Sequence, residues 1–431
     1  MNVAGSVRVP GDKSITHRVL LLAALTRGTS HIGGALTSLD ARSSARVLRQ
    51  LGAELSPLRP GVPVTVRGRG KLRRPDGPLF CGNSGTTTRL LLGLLAAHRF
   101  TATLTGDGSL RRRPMRRVTV PLASMGAHFS EQNGDGLPLT IRGERLRPLR
   151  YEMPVSSAQI KSAILLAGMA GEVDVALREP HGRSRDHTER LLRAFGYGVA
   201  EEDGWIRFTP GGHLEPFDVQ VAGDPSSAAF LVGAATLAEA GELLISAVGL
   251  NPTRTGFLDV LARMGAAVQL ENQADRFGEP VGDLVVRPAP LRGTEVGAGE
   301  IPGLIDEIPL LAVLASRASG TTTFRQVGEL RVKESDRLGL MAENLRAIGA
   351  GAEVVGDDLV VEGGDRIPRG KVRTAGDHRL AMAFAVLGLV PGSHITIDDM
   401  ACAAVSFPGF PETLRAISPR AGRARAARTK G

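Results

Sequence analysis

The residues able to do chemistry fall into two groups along the chain. The first group is cationic and hydroxylic. Lys13, Ser14 and Arg18 stand in GDKSITHR, at the start of an apolar run. Cations at a helix N-terminus oppose the macrodipole, so a bound anion explains them better than helix stability does. A solvated basic face is the plainer alternative. Asn83, Ser84, Gly85, Thr86, Thr87, Thr88 and Arg89 form a small polar loop before another apolar run. Gly85 lets backbone approach a ligand, and the hydroxyls of Thr86 to Thr88 suit an oxyanion. The bland reading is a Ser/Thr cap with a surface arginine. Arg111, Arg112, Arg113, Arg116 and Arg117 follow GDG, where a charge run is solvated by default. Pro114 orients this loop so that it can offer an arginine to an anion. Ser156, Ser157 and Gln159 can give neutral hydrogen bonds to a polyol. Arg183, Arg185, Asp186 and His187 crowd one loop before a helix.

The second group holds the acids. Asp306 and Glu307 sit in LIDEIPLL between apolar neighbours. A carboxylate there, with a raised pKa, would serve as a base; an ordinary helix N-cap is the alternative. RVKESDR supplies Arg331, Lys333, Glu334, Asp336 and Arg337, either as a site or as a surface ion-pair strip. DHR gives Asp377, His378 and Arg379 at a further helix start. Cations and hydroxyls in one half, carboxylates with Lys333, Arg337 and Arg379 in the other, suggest an anionic substrate on each and closure on binding.

Other chemistries fit poorly. GDKS lacks the preceding glycine of a nucleotide phosphate loop. A single histidine at ligand spacing, His187, argues against a metal and for a structural hydrogen bond. No nucleophile elbow, zinc motif or GxGxxG after a strand is present. Cys81 adjoins the polar loop and reads as buried packing.

The elements that must position these groups repeat. Six segments, starting at residues 11, 82, 156, 223, 305 and 376, share a polar turn, an apolar helix and then a strand-like run. Generic helix–Gly–strand grammar is the competing explanation. Between them recur helices ended by glycine, at Gly52, Gly126, Gly196, Gly265 and Gly349. Units of about 70 residues with two helices and several strands read as βαβαββ modules, six of them in two domains of three. The sixth runs short, and the N-terminal SVRVPG is expected to supply its missing strand. The chain then crosses between domains twice, near Gly11 and Gly223, each followed by an aspartate. Asp224-Pro225 reads as a plain N-cap with proline in the first turn. The expected domains are 11–223 and 1–10 with 224–418, followed by a basic, disordered tail over 419–431.

Composition agrees. The chain has 431 residues, 42% hydrophobic and 23% charged, which fits a soluble globular protein of two or three domains. Its net charge is +9, and five of the cations lie in the acid-free tail. Only six of its 53 basic residues are lysines, and lysine, unlike arginine, can move its pKa. Two cysteines make no disulfide framework. No signal peptide and no run of membrane-spanning length is visible, so a cytoplasmic location is expected.

The strings GDKSITHR, GNSGTTTR, LTGDGSLRRRP, SAQIKSA, SRDHTERL, GDPSSAAF, LIDEIP, RVKESDRL, DHRLAMA and SFPGF occur in that order. In this the chain resembles the 5-enolpyruvylshikimate-3-phosphate synthase family over nearly its whole length. The resemblance implies an α/β fold of two domains, each of three βαβαββ units, joined by two hinge crossings. It implies transfer of the enolpyruvyl group of phosphoenolpyruvate to the 5-hydroxyl of shikimate-3-phosphate, by addition then elimination. Neither a metal nor an organic cofactor is implied. By similarity, Lys13, Ser14, Arg18, Ser157, Gln159, Arg185, Asp306 and Lys333 bind shikimate-3-phosphate. Lys13, Gly85, Arg113, Gln159, Arg337 and Arg379 bind phosphoenolpyruvate. Asp306 would take the hydroxyl proton. Glu334, with Lys13, would protonate the methylene carbon and later remove a proton, which asks for a raised carboxyl pKa in a dry cleft.

Two positions depart from one branch of the family. Val405 stands where that branch has lysine, and Ser157-Ala158 where it has a serine pair. Gly85 keeps the small residue that leaves room for glyphosate, so inhibition is expected. A monomer acting on two small anionic substrates, with no membrane or nucleic-acid partner, completes the expectation. The rivals are an enolpyruvyl transferase for a UDP-sugar and a basic RNA-binding protein. The loop around Arg113 has no cysteine, which counts against the first, and aromatics are too sparse for the second.

Overall fold

A helix that is apolar on every side must be buried on every side, and this decides the layering. In a computed structural model describing residues 1–131, 134–180 and 182–418, all twelve residues of Pro225–Thr236 are buried. The other module helices, Lys13–Leu25, Gly85–Ala96, Ala158–Gly171, Ile308–Ala315 and His378–Leu387, are also mostly buried. Burying one Leu or Ile side chain is worth about 1.5–3 kcal/mol, so these helices anchor the fold. The basic segment 419–431 lies outside the described residues.

In the second, third and fifth modules the helix links two parallel strands, and a hairpin then adds two antiparallel ones. In the second module the spatial order is Leu79–Phe80, Thr101–Thr105, Leu139–Arg142, His128–Glu131. The third module repeats it with Leu149–Glu152, Val175–Arg178, Trp205–Thr209 and Gly198–Glu202. The fifth does so with Glu295–Val296, Thr321–Phe324, Asp358–Glu362 and Gly351–Val355. All five glycines expected to end helices have positive φ, between +76° and +117°.

The first and fourth modules borrow their first strand. Asp218–Gln220 pairs in parallel with Arg27–Gly33, and Asn2–Val7 with Ala240–Gly249. The expectation for the sixth module is therefore corrected. Its sheet keeps only Arg369–Val372 and His394–Ile397, while the N-terminal strand completes the fourth sheet. After His394–Ile397 the chain turns into a 3-10 segment, Ala401–Val405, and a helix, Phe410–Ile417, instead of a hairpin. That helix contacts Asn2–Val7.

Two apolar cores result. One draws its buried residues from Ile15 to Val221; the other takes Val3, Val9 and residues from Ala228 to Ile417. The hairpin of the fourth module reaches across: Phe277 at its tip packs on Phe195 and Phe217, at centroid distances of 5.2 and 5.6 Å. No helix among the described residues is long and apolar enough to cross a membrane.

Candidate active site

Helix starts set the site. Lys13 opens its helix directly after Asp12, whose carboxylate caps Ile15 N at 2.8 Å. Gly85 opens the second, capped by Ser84 through Thr87 N at 3.1 Å. Ser157 precedes the third without capping it. Asp306 and Glu307 precede Ile308–Ala315, and Asp377 caps the last through Arg379 N at 2.9 Å. Arg337 starts Arg337–Ala347 behind Asp336. Several of these starts bring charged side chains together around Asp306.

Asp306 is the meeting point. Arg185, from the first half, pairs with its Oδ2; Arg379 Nη2 lies 3.3 Å from the same oxygen, and Arg337 Nη1 lies 3.7 Å from Oδ1. Arg379 Nη1 also donates to the Asp306 backbone carbonyl at 3.0 Å. Burial alone would raise the Asp306 pKa, but Arg379, Arg185, Arg337 and Lys333 outweigh it and hold the group well below the usual carboxylate range. The expected raised pKa is corrected: three guanidiniums from distant segments converge there. Glu334 is corrected in the same way. Burial opposes its charge, yet Arg337, whose Nη2 donates to it at 2.6 Å, with His378, Lys13 and Arg113, holds its carboxyl far down.

Glu307 is the carboxyl whose pKa does rise. It is buried, and burial with the neighbouring Asp306 charge outweighs Arg379 and Arg254. Ser226 Oγ donates to its Oε1. Lys333 moves down through burial, despite Asp306 and Glu329.

The remaining residues line the cleft at varying depth. Lys13 Nζ lies 3.4 Å from Asp40 Oδ2. Arg185 Nη1 also reaches Ser14 Oγ at 3.5 Å. Arg18 lies beneath, donating to Ser14 O, Ser162 Oγ and Thr188 Oγ1 at 2.6–2.8 Å. Gln159 Oε1 accepts from Arg89 Nη1 at 2.5 Å, and its Nε2 donates to Thr86 Oγ1 at 3.1 Å. Arg113 Nη2 donates to Asn83 Oδ1 at 2.5 Å, beside Gly85. Arg337 is fully buried: Nε and Nη2 donate to Asp377, while Nη1 has no hydrogen-bond partner among the described residues. The guanidiniums of Arg185, Arg337 and Arg379 converge on one carboxylate, and such a cluster suits an anion grip.

Some readings change. Thr87 and Thr88 turn into the core: Thr87 Oγ1 bonds Ser84 and Ser44, and Thr88 Oγ1 donates to Ser84 O. Only Thr86 faces Gln159. Asp224 does more than cap: it takes Ser226 N, Lys13 N and the Arg254 guanidinium. His187 is structural, with Nδ1 2.7 Å from Glu279, and Arg183 turns outward to Glu201. Cys81 is buried, its thiol pushed up to about 11 by burial. Sequence reading underrated Arg89, which joins Gln159 to the carbonyl of Pro114. Burial and the nearby Arg113 bring Arg89 down to about 10. Its place in GNSGTTTR, four residues after Gly85, was the available signal.

A family model described as EPSP synthase (3-phosphoshikimate 1-carboxyvinyltransferase) matches residues 1–414. The 3-phosphoshikimate 1-carboxyvinyltransferase of Gloeobacter violaceus is 49% identical over 418 residues, 96% of each chain. That of Desulfitobacterium hafniense is 46% identical over 419 residues, again 96% of each. A solved EPSP synthase from Acinetobacter baumannii superposes with a TM-score of 0.86 at 40% identity, over 96% of this chain and 95% of that one. The enolpyruvyl transferase NikO from Streptomyces tendae shares the fold, with a TM-score of 0.76 at 21% identity over 97% and 95% of the two chains.

Proposed function

The chain belongs to the EPSP synthase family, and from that premise we propose that it transfers the enolpyruvyl group of phosphoenolpyruvate to the 5-hydroxyl of shikimate-3-phosphate, releasing phosphate. The observation that carries the reading is the cleft in which Lys13, Arg113 and Arg185 meet Asp306, Glu334, Arg337 and Arg379. Two small polyanions need many cations, and arginines grip carboxylate and phosphate by two oxygens at once. Ser14, Arg18, Ser157, Gln159, Arg185 and Lys333 would hold the shikimate-3-phosphate. Lys13, Gly85, Gln159, Arg113, Arg337 and Arg379 would hold the phosphoenolpyruvate. The same cations draw both ligands in electrostatically.

The low carboxyl pKa values are a property of the cation ring, and the substrates change that ring. Anionic groups on Arg185, Arg337 and Arg379 share the guanidinium charge and add negative charge beside Asp306 and Glu334. Both effects raise the carboxyl pKa values toward the range in which acids and bases work. Asp306 then takes the 5-hydroxyl proton as that oxygen bonds to C2 of phosphoenolpyruvate. Glu334, with Lys13, delivers a proton to C3, which becomes a methyl group. In the second step the methyl group loses a proton, the double bond reforms and phosphate leaves C2.

Two domains, 11–223 and 1–10 with 224–418, form part of this reading, supported by the two separate cores. A monomer is part of the same reading. Two free thiols accord with a reducing, cytoplasmic setting. Phosphate release with phosphoenolpyruvate and shikimate-3-phosphate is the expected result. Release only with UDP-N-acetylglucosamine as acceptor overturns the reading.

A further inference from the structure

The two chain crossings run side by side. Gly11 bridges to Gly223, Asp12 N donates to Ala222 O at 2.8 Å and Asp224 N to Pro10 O at 2.9 Å. A Cβ on Gly11 would lie 1.9 Å from Gly34 O, so only glycine lets the first crossing pass this close to the segment that follows Arg27–Gly33. Beneath them lies Arg254, from the turn NPTRTG, only 2% exposed. Its Nη1 donates to Asp12 Oδ2 at 2.8 Å; its Nη2 donates to Asp224 Oδ1 at 3.1 Å and to Ser226 Oγ at 2.8 Å. One guanidinium therefore holds an aspartate from each crossing.

Both aspartates lead into the cleft. Asp12 caps the helix that opens at Lys13, and Asp224 Oδ2 accepts from Lys13 N at 3.0 Å across the two halves. Ser226, in turn, donates to Glu307, the chain neighbour of Asp306. A compact ammonium would neutralise the two aspartates, but only a planar fork also reaches the serine in fixed directions. Arg254 thus fixes the start of the Lys13 helix and the start of the Asp306 segment against each other.

We propose that Arg254 is a positioning residue for enolpyruvyl transfer: it sets the spacing between Lys13 on one half and Asp306 on the other. This rests on the function proposed above, and the test separates the two. Steady-state phosphate release and calorimetric binding of shikimate-3-phosphate are measured for wild type, Arg254→Gln, Arg254→Lys and the charge-balanced pair Arg254→Gln/Asp12→Asn. A displacement of 1 Å costs roughly 10²-fold, so kcat is expected to fall about tenfold or more in Arg254→Gln. Shikimate-3-phosphate binding is expected to persist, because most of its proposed contacts lie on the first half. Arg254→Lys should recover part of kcat, and the charge-balanced pair should stay slow. Normal kcat in Arg254→Gln overturns the proposal. So does full recovery in the charge-balanced pair, since the guanidinium would then be only a counter-charge. If Arg254→Gln does not fold, Ser226→Ala cuts the arm toward Glu307 alone; reduced kcat supports the proposal and normal kcat overturns it. A wild-type protein without turnover overturns the functional reading itself, and this proposal with it.

Discussion

Asp306 is ringed by cations that come from other parts of the chain; Arg185 alone is 121 residues away. That distance is why the sign of its pKa shift was not legible in LIDEIP, where only apolar neighbours are visible. The place of Asp306 at a helix start was legible, as were those of Arg337 and Arg379; for the arginines a cation there opposes the macrodipole, whereas the acid reads equally well as a cap. Asp306→Asn keeps the shape and one acceptor but removes the base. It also releases charge on three guanidiniums, so anion binding should persist or tighten. Turnover is expected to fall by about 10²–10⁴, measured as kcat for phosphate release alongside the Kd for shikimate-3-phosphate. Normal kcat would remove Asp306 from the chemistry.

At the scale of elements, helix starts were the most readable feature, because caps, prolines and terminal glycines are local signals. Which hydroxyls of GNSGTTTR face the cleft was not readable: Thr87 is claimed by Ser44 and Ser84, from elements the sequence does not place beside it. The short sixth module was visible too, but strand pairing is non-local, so its borrowed strand was assigned to the wrong sheet. On the proposed function, Gly85 is where a helix start bears on specificity. A Cβ there would stand 3.1 Å from Arg89 Nη1 and 3.3 Å from Arg113 Nη1. Both arginines must yield, and with them the proposed phosphoenolpyruvate pocket. Gly85→Ala is expected to raise the KM for phosphoenolpyruvate about tenfold, a loss of about 1.4 kcal/mol, and to weaken glyphosate inhibition further. Unchanged values for both would show that this helix start does not border the pocket.

Across the whole molecule, two of the buried histidines, His17 in one half and His378 in the other, are held neutral. Burial brings His17 and His378 down from 6.5 to about 4. Between those values the unfolded chain takes up protons that the folded chain refuses, so stability falls as pH drops from about 6.5 to about 4. The loss is on the order of 3 kcal/mol for each histidine. His17→Asn should flatten the fall in the urea midpoint between pH 7 and pH 5, and an unchanged slope would discount His17 as a contributor. The borrowed strands bear on another matter, the order in which a ribosome delivers the chain. Asn2–Val7 emerges long before Ala240–Ile245, with which it pairs, and the sheet begun by Arg27–Gly33 waits for Asp218–Gln220. The opening strand must therefore stay unpaired through synthesis of the entire first half, and that half closes its last sheet only as the second begins to appear.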